Sequence, residues 1–190
     1  MTLIELYGDS VRAFADRVGT IRPEQWTDPT PCAGWDVRTL VNHIVYEQRW
    51  SVPLFAGATI AEVGDEYETD LLGEDPQQAV TDAAAAAVAA VAEPGVLDRT
   101  VHLSFGDTPG EEYLRQLFAD HVVHGWDLAV AIGADRRLDP RQVSEVATWF
   151  AEREDLYRSA GVIGPRVQVD AGASEQDRLL GAAGRDPATR

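Results

Sequence analysis

Apolar residues recur at Leu3, Leu6, Tyr7, Val11, Phe14 and Val18, one stripe of a helix surface, so the spacing predicts an amphipathic helix over 3–18. A turn between Thr20 and Pro31 closes it. The same period returns at Val37, Leu40, Val41, Ile44 and Val45 behind Asp36, a capping side chain, and predicts a second helix over 37–55. Three further starts place a capping residue before proline, with a glutamate or glutamine soon after: Asp75-Pro76-Gln77-Gln78, Thr108-Pro109-Gly110-Glu111 and Asp139-Pro140-Arg141-Gln142. Between them, Leu97 to Phe105 alternates with a period near two and stops at Gly106-Asp107, which predicts a short strand or hairpin arm. Beyond Tyr157 the chain turns through Gly161, Gly164 and Pro165, extends around Val167 to Val169, and makes a last helical turn near Gln176 to Leu180.

These elements predict an all-α fold: an up-and-down four-helix bundle, with a fifth helix outside, a short hairpin segment and an extra C-terminal helix. No repeat or linker divides the 190 residues, so one domain over 1–190 is expected.

Composition narrows the function. The formal net charge is -16, which repels a phosphate backbone and an anionic membrane surface, so neither nucleic acid nor membrane is an expected partner. All 16 cationic residues are arginine, which excludes Schiff-base and P-loop lysine chemistry. Cys32 is the single cysteine, so an internal disulfide framework and a cysteine-built zinc knuckle are excluded. The amino terminus lacks the basic start and apolar run of a secretory signal, and a cytoplasmic location is expected.

The chemistry gathers on two helices. Projected at 100 degrees per residue, the helix that opens near Thr108 puts Leu114, Leu117, Phe118, His121, Gly125, Leu128 and Ile132 on one broad face, with Asp120, His124 and Asp127 along its margin. Asp120 and His124, four apart, can converge on one ion. His43 lies on the flank of the second helix beside Glu47 and supplies a third donor. Two histidines and an acid suit zinc, nickel, iron or manganese better than calcium. On spacing alone His121 competes with Asp120 as the partner of His124, and a hydrogen-bonded core histidine is the plainer account of His121. His102 reads as an edge residue, Cys32 as packing in its turn, and Trp35 and Trp126 as wedges at the bundle ends. Glu47 and Asp127 are either partners of the ligands or general bases, or simply solvated acids, and Arg38 and Arg49 either clamp a carboxylate or bridge along a helix face.

The stretches from Thr30-Pro31-Cys32-Ala33-Gly34-Trp35-Asp36 to His43 and from His124-Gly125-Trp126-Asp127 to Ala129 resemble the mycothiol-dependent maleylpyruvate isomerase N-terminal domain, within the DinB-like metal-binding superfamily. The tail around Gly184-Arg185-Asp186-Pro187 is similar to the ending of its single-domain members. The resemblance implies a DinB-like bundle holding a divalent metal, commonly zinc, at positions matched by His43, Asp120 and His124. It thereby favours Asp120 over His121, with aspartate where a longer acid or histidine is usual. It also implies mycothiol as cosubstrate, with a small-molecule thiol or electrophile as partner, in a thiol-dependent S-transferase or isomerase-like enzyme. The isomerases are expected to carry a C-terminal domain for which this chain is too short, which counts against isomerisation here. The alternatives are a non-catalytic bundle that binds a metal or small molecule, and a structural homodimer.

Overall fold

The computed structural model describes residues 1–189. Helix α1 spans Leu3–Val18 and opens on a reciprocal cap, in which the Thr2 hydroxyl accepts from the Glu5 N–H while the Glu5 carboxylate accepts from the Thr2 N–H. Helix α2 spans Val37–Phe55 behind Asp36, whose carboxylate accepts the Thr39 N–H at 2.8 Å. A one-turn helix α3, Ile60–Val63, leads to α4, Pro76–Val91, capped by Asp75. The long central helix α5 spans Gly110–Ile132, and α6 (Pro140–Ala151), α7 (Glu154–Ser159) and α8 (Glu175–Ala182) follow.

Helix α1 packs on α4 and α5, and α2 packs on the same two. The four form a bundle in which α1 and α2 lie across one diagonal and α4 and α5 across the other, the all-α DinB-like architecture the pattern predicts. Helix α6 covers α5 from outside and α8 packs on α6. The interior is filled by large side chains such as Tyr7, Phe14, Leu40, Ile44, Leu54 and Leu114. Among the described residues, no helix is long and apolar enough to cross a membrane.

Two expected starts have the predicted chemistry, at Asp75 and at Asp139. The third does not. Strand β1 (Thr100–Leu103) pairs antiparallel with β2 (Gly106–Pro109), so the Thr108 backbone belongs to the hairpin opposite Val101 and its hydroxyl donates to the Gly106 carbonyl. Pro109 takes the cap position with no side-chain bond. Near Val167, where an extended piece is expected, the chain joins no sheet and the Val167 N–H donates to the Gly181 carbonyl at 2.9 Å.

Glycine is required where α5 starts. The Gly110 N–H donates to Arg99 O at 2.8 Å, and a Cβ there would run into the Val96 carbonyl oxygen and the Leu97 backbone. Gly110→Ala should therefore lower unfolding stability by about 1–3 kcal/mol, read from urea denaturation, because the obstacle is backbone and has no rotamer to escape into.

Candidate functional site

Helix α5 holds the chemistry on three of its faces. His121 points into the core, where its Nδ1–H donates to the Leu117 carbonyl at 2.8 Å and Nε2 faces the Gln48 amide at 2.9 Å. Tyr7 and Phe14 meet its ring edge to face. Burial pushes its imidazolium down to about 4, so it sits neutral and fully used, away from Asp120.

On another face Asp120 and His124 meet His43 from α2. The Asp120 Oδ2 lies 2.9 Å from His43 Nε2, and Oδ1 lies 3.4 Å from His124 Nε2. Trp35 lies against both imidazoles, stacked on His124 at 5.7 Å and tilted over His43 at 4.8 Å. Burial would raise the Asp120 carboxyl, but His124 and His43 hold it well below the usual range. Burial would lower His124, yet Asp120, Asp127 and Cys32 raise it well above an ordinary histidine.

On the third face Asp127 is fully buried. Its Oδ2 accepts from His124 Nδ1–H at 3.0 Å, from the Cys32 thiol at 3.2 Å and from Arg185 Nη2 at 2.9 Å. Burial works to raise its carboxyl, and His124 and Arg185 hold it below the usual value. Arg185 arrives from the segment after α8 and also donates to the Cys32 sulfur at 3.0 Å. The turn that delivers Cys32 and Trp35 is tied by Thr30, whose hydroxyl donates to the Trp35 carbonyl at 2.9 Å, and it reverses at Gly34 with φ of 82°.

The residues fit a divalent ion. The donor atoms of His43, Asp120 and His124 all lie within 4.8 Å of one another. Ligands about 2.0–2.2 Å from a tetrahedral ion sit roughly 3.4 Å apart. Two imidazole nitrogens and a carboxylate leave positions open for a further ligand. Cys32, His124 and Asp127 form a second convergent set, but there the Arg185 guanidinium already occupies both the sulfur and the carboxylate. The first set is the one with room. It opens on a cavity of about 440 Å³, towards which Asp120 keeps 36% of its side-chain surface exposed.

Other expectations can now be placed. Glu47, half-buried one turn after His43, makes no side-chain hydrogen bond among the described residues, and burial with the Asp120 charge raises its carboxyl to about 7. His102 sits at the hairpin edge, bonded to Asp107. Trp126 is a buried wedge against Val130 and Leu180. Arg38 bridges to Asp70 in the loop after α3. Trp35 and Cys32, read from the sequence as packing, line the cavity beside His124, and Arg185 had no assigned role at all.

The family model described as the mycothiol maleylpyruvate isomerase N-terminal domain matches residues 7–129, which include His43, Asp120 and His124. The chain belongs to that family. Two uncharacterized proteins from two strains of Mycobacterium tuberculosis, MT0763 and Rv0738, are each 32% identical over 160 residues, covering 82% of this chain and 76% of the relative. A crystal structure of the mycothiol-dependent maleylpyruvate isomerase superposes with a TM-score of 0.74 at 16% identity, covering 100% of this chain and 92% of that one.

Two outcomes follow for the buried groups. Removing Arg185 leaves Asp127 buried without its cation, so Arg185→Ala should lose about 3–5 kcal/mol of stability in urea denaturation. His121 binds a proton below about pH 4 when folded. Unfolded, it binds near pH 6.5, so acid favours the unfolded chain, and stability should fall by up to about 3 kcal/mol as pH drops through that window. The difference between wild type and His121→Gln, followed against pH, isolates this contribution.

Proposed function

We propose that this chain binds one divalent ion through His43, Asp120 and His124 and uses a small thiol of the mycothiol type against an electrophile in the adjoining cavity, as an S-transferase or isomerase-like enzyme. The observation that carries the reading is the convergence of three donor atoms, from two helices, at the side of a 440 Å³ cavity. The family's name supports the thiol, since its solved relative is mycothiol-dependent. Zinc is the ion that best suits two imidazoles and one carboxylate, with nickel, iron(II) and manganese(II) next.

A bound divalent ion would supply the positive charge that keeps a thiol ionised near neutral pH. The chain's own groups do the rest. Asp127 takes the Nδ1–H of His124, which fixes the ring and turns Nε2 towards Asp120. Arg185 keeps Asp127 ionised and in place. Trp35 covers the imidazoles on one side and restricts water there. Glu47, with its carboxyl near 7, is suited to hold or release a proton at working pH. A cytoplasmic setting belongs to the same reading, because Cys32 is a free thiol beside the site.

Protein purified without chelator should hold about one divalent ion per chain by elemental analysis, whereas His124→Ala should hold none while keeping its helical circular dichroism. With mycothiol and an alkylating electrophile, wild type should consume thiol faster than the variant. A metal-free wild type would sink the proposal.

A further inference from the structure

The cavity has a second half. Its wall comes from Val146, Trp149 and Phe150 of α6, Tyr157 of α7, Ile163 and Leu179. These surfaces are mostly apolar, and the indole N–H among them is spent, since Trp149 Nε1–H donates to the Glu112 carboxylate at 3.1 Å. An apolar wall holds a ligand without orienting it, so orientation falls to the few polar groups set into the lining.

Tyr157 carries one of them. Its ring stands edge to face against both Trp149 and Phe150, with centroids 5.9 Å away in each case. The backbone holds it from both sides, its N–H donating to the Arg153 carbonyl at 3.0 Å and its carbonyl accepting the Val162 N–H at 3.0 Å. The hydroxyl on this fixed ring lines the cavity and makes no hydrogen bond among the described residues. Burial, then the Glu112 charge, push it up to about 12, so it keeps its proton and stays a donor through the neutral range. Gln116, one turn before Asp120 on α5, lies on the same lining, and its amide also makes no side-chain hydrogen bond among the described residues. Each brings a neutral donor that the rest of the fold does not consume. Tyr157 lies beyond residue 129, where the family match ends, so that match does not account for it. A thiolate would fill an open position on an ion held by His43, Asp120 and His124, which leaves the oxygen of an acceptor to be met by the wall.

We propose that the Tyr157 hydroxyl, with the Gln116 amide, donates to a neutral oxygen of the electrophile, so that the site takes acceptors whose reactive carbon is conjugated to a carbonyl group. The inference rests on the thiol-dependent reading above and names the residues that orient its acceptor. As the thiol adds, sulfur bonds to the β-carbon and the carbon–carbon π pair moves onto the carbonyl oxygen, where the two donors hold the charge. The pair then returns to form a carbon–hydrogen bond at the α-carbon, which takes the proton the thiol gave up to solvent.

Acetophenone and α-methylstyrene test the donors without any reaction, because they share one ring and one shape and differ by an oxygen against a methylene. Each is titrated by the quenching of tryptophan fluorescence, Trp149 being part of the wall. Wild type should bind acetophenone about three- to tenfold more tightly, the factor one net hydrogen bond supplies. Tyr157→Phe keeps the ring and should remove most of that preference. The infrared carbonyl stretch of bound acetophenone should lie lower in wild type than in Tyr157→Phe, a shift that a purely structural role for the ring would not produce. Both measurements are made after chelator treatment and again with zinc added. No preference in wild type, a preference intact in Tyr157→Phe, or one that appears only with zinc overturns the inference, the last because the ion and not the phenol would then hold the oxygen.

Benzylideneacetone with mycothiol then reports turnover. If it is not consumed, the thiol-addition reading fails, while the acetophenone pair still decides whether Tyr157 holds a carbonyl. Where it is consumed, Tyr157→Phe should lower kcat by about tenfold or more, and an undiminished kcat overturns the donor role.

Discussion

The structure depends on one constraint: α5 is buried on most of its surface, so the charged and imidazole groups it buries, His121, His124 and Asp127, have to find partners inside the protein. Of its 23 residues, 16 are buried, among them His121, His124 and Asp127. No single neighbour could answer all of these. Gln48 of α2 faces His121, His43 of the same helix faces Asp120, and the segment after α8 sends Arg185 to Asp127. The order in which elements surround α5 is therefore also the order in which its charges are satisfied. An Asp127 without Arg185 would be a buried anion left with only His124 and the Cys32 thiol, and the site geometry would lose its anchor.

His124 stands between two carboxylates that differ in kind. Asp127 is closed off, with Arg185, Cys32 and the imidazole filling its acceptor positions. Asp120 stays open to the cavity, its charge balanced only by the two histidines. One acid therefore orients the ring and the other remains available to an incoming cation. The sequence puts both on one helix, at four residues before and three after the histidine, and neither spacing alone says which acid will do which. Burial decides it, through the depth at which each meets its neighbours.

Much of the fold was legible because local chemistry and periodicity agree. The apolar stripes fix α1 and α2 to the residue, and Asp36, Asp75 and Asp139 make the caps their positions promise. Thr108 misled because a hairpin claimed its backbone first, and strand pairing is a long-range event that a cap motif does not encode. In the site, His43, Asp120 and His124 were visible from helical projection, with the family resemblance separating Asp120 from His121. The geometry brings the three together, and it gives His121 two partners in the core. Cys32, Trp35 and Arg185 were hidden for one reason. They reach the site from a turn and a tail far from α5 in sequence, with Cys32 92 residues from His124 and 153 from Arg185. No periodicity links such positions.

The two halves of the cavity also come from different parts of the chain. The family match ends at residue 129, so it covers the donor atoms, Trp35 and Cys32, while the apolar wall of α6, α7 and α8 lies beyond it. The convergent donor atoms and the apolar wall thus come from separate segments of the chain. Arg185 is the exception that ties them. Because it lies on the cavity lining and neutralises Asp127, the C-terminal segment cannot leave without exposing a buried carboxylate beside His124. Its cation is held by the Asp127 carboxylate and the Cys32 sulfur.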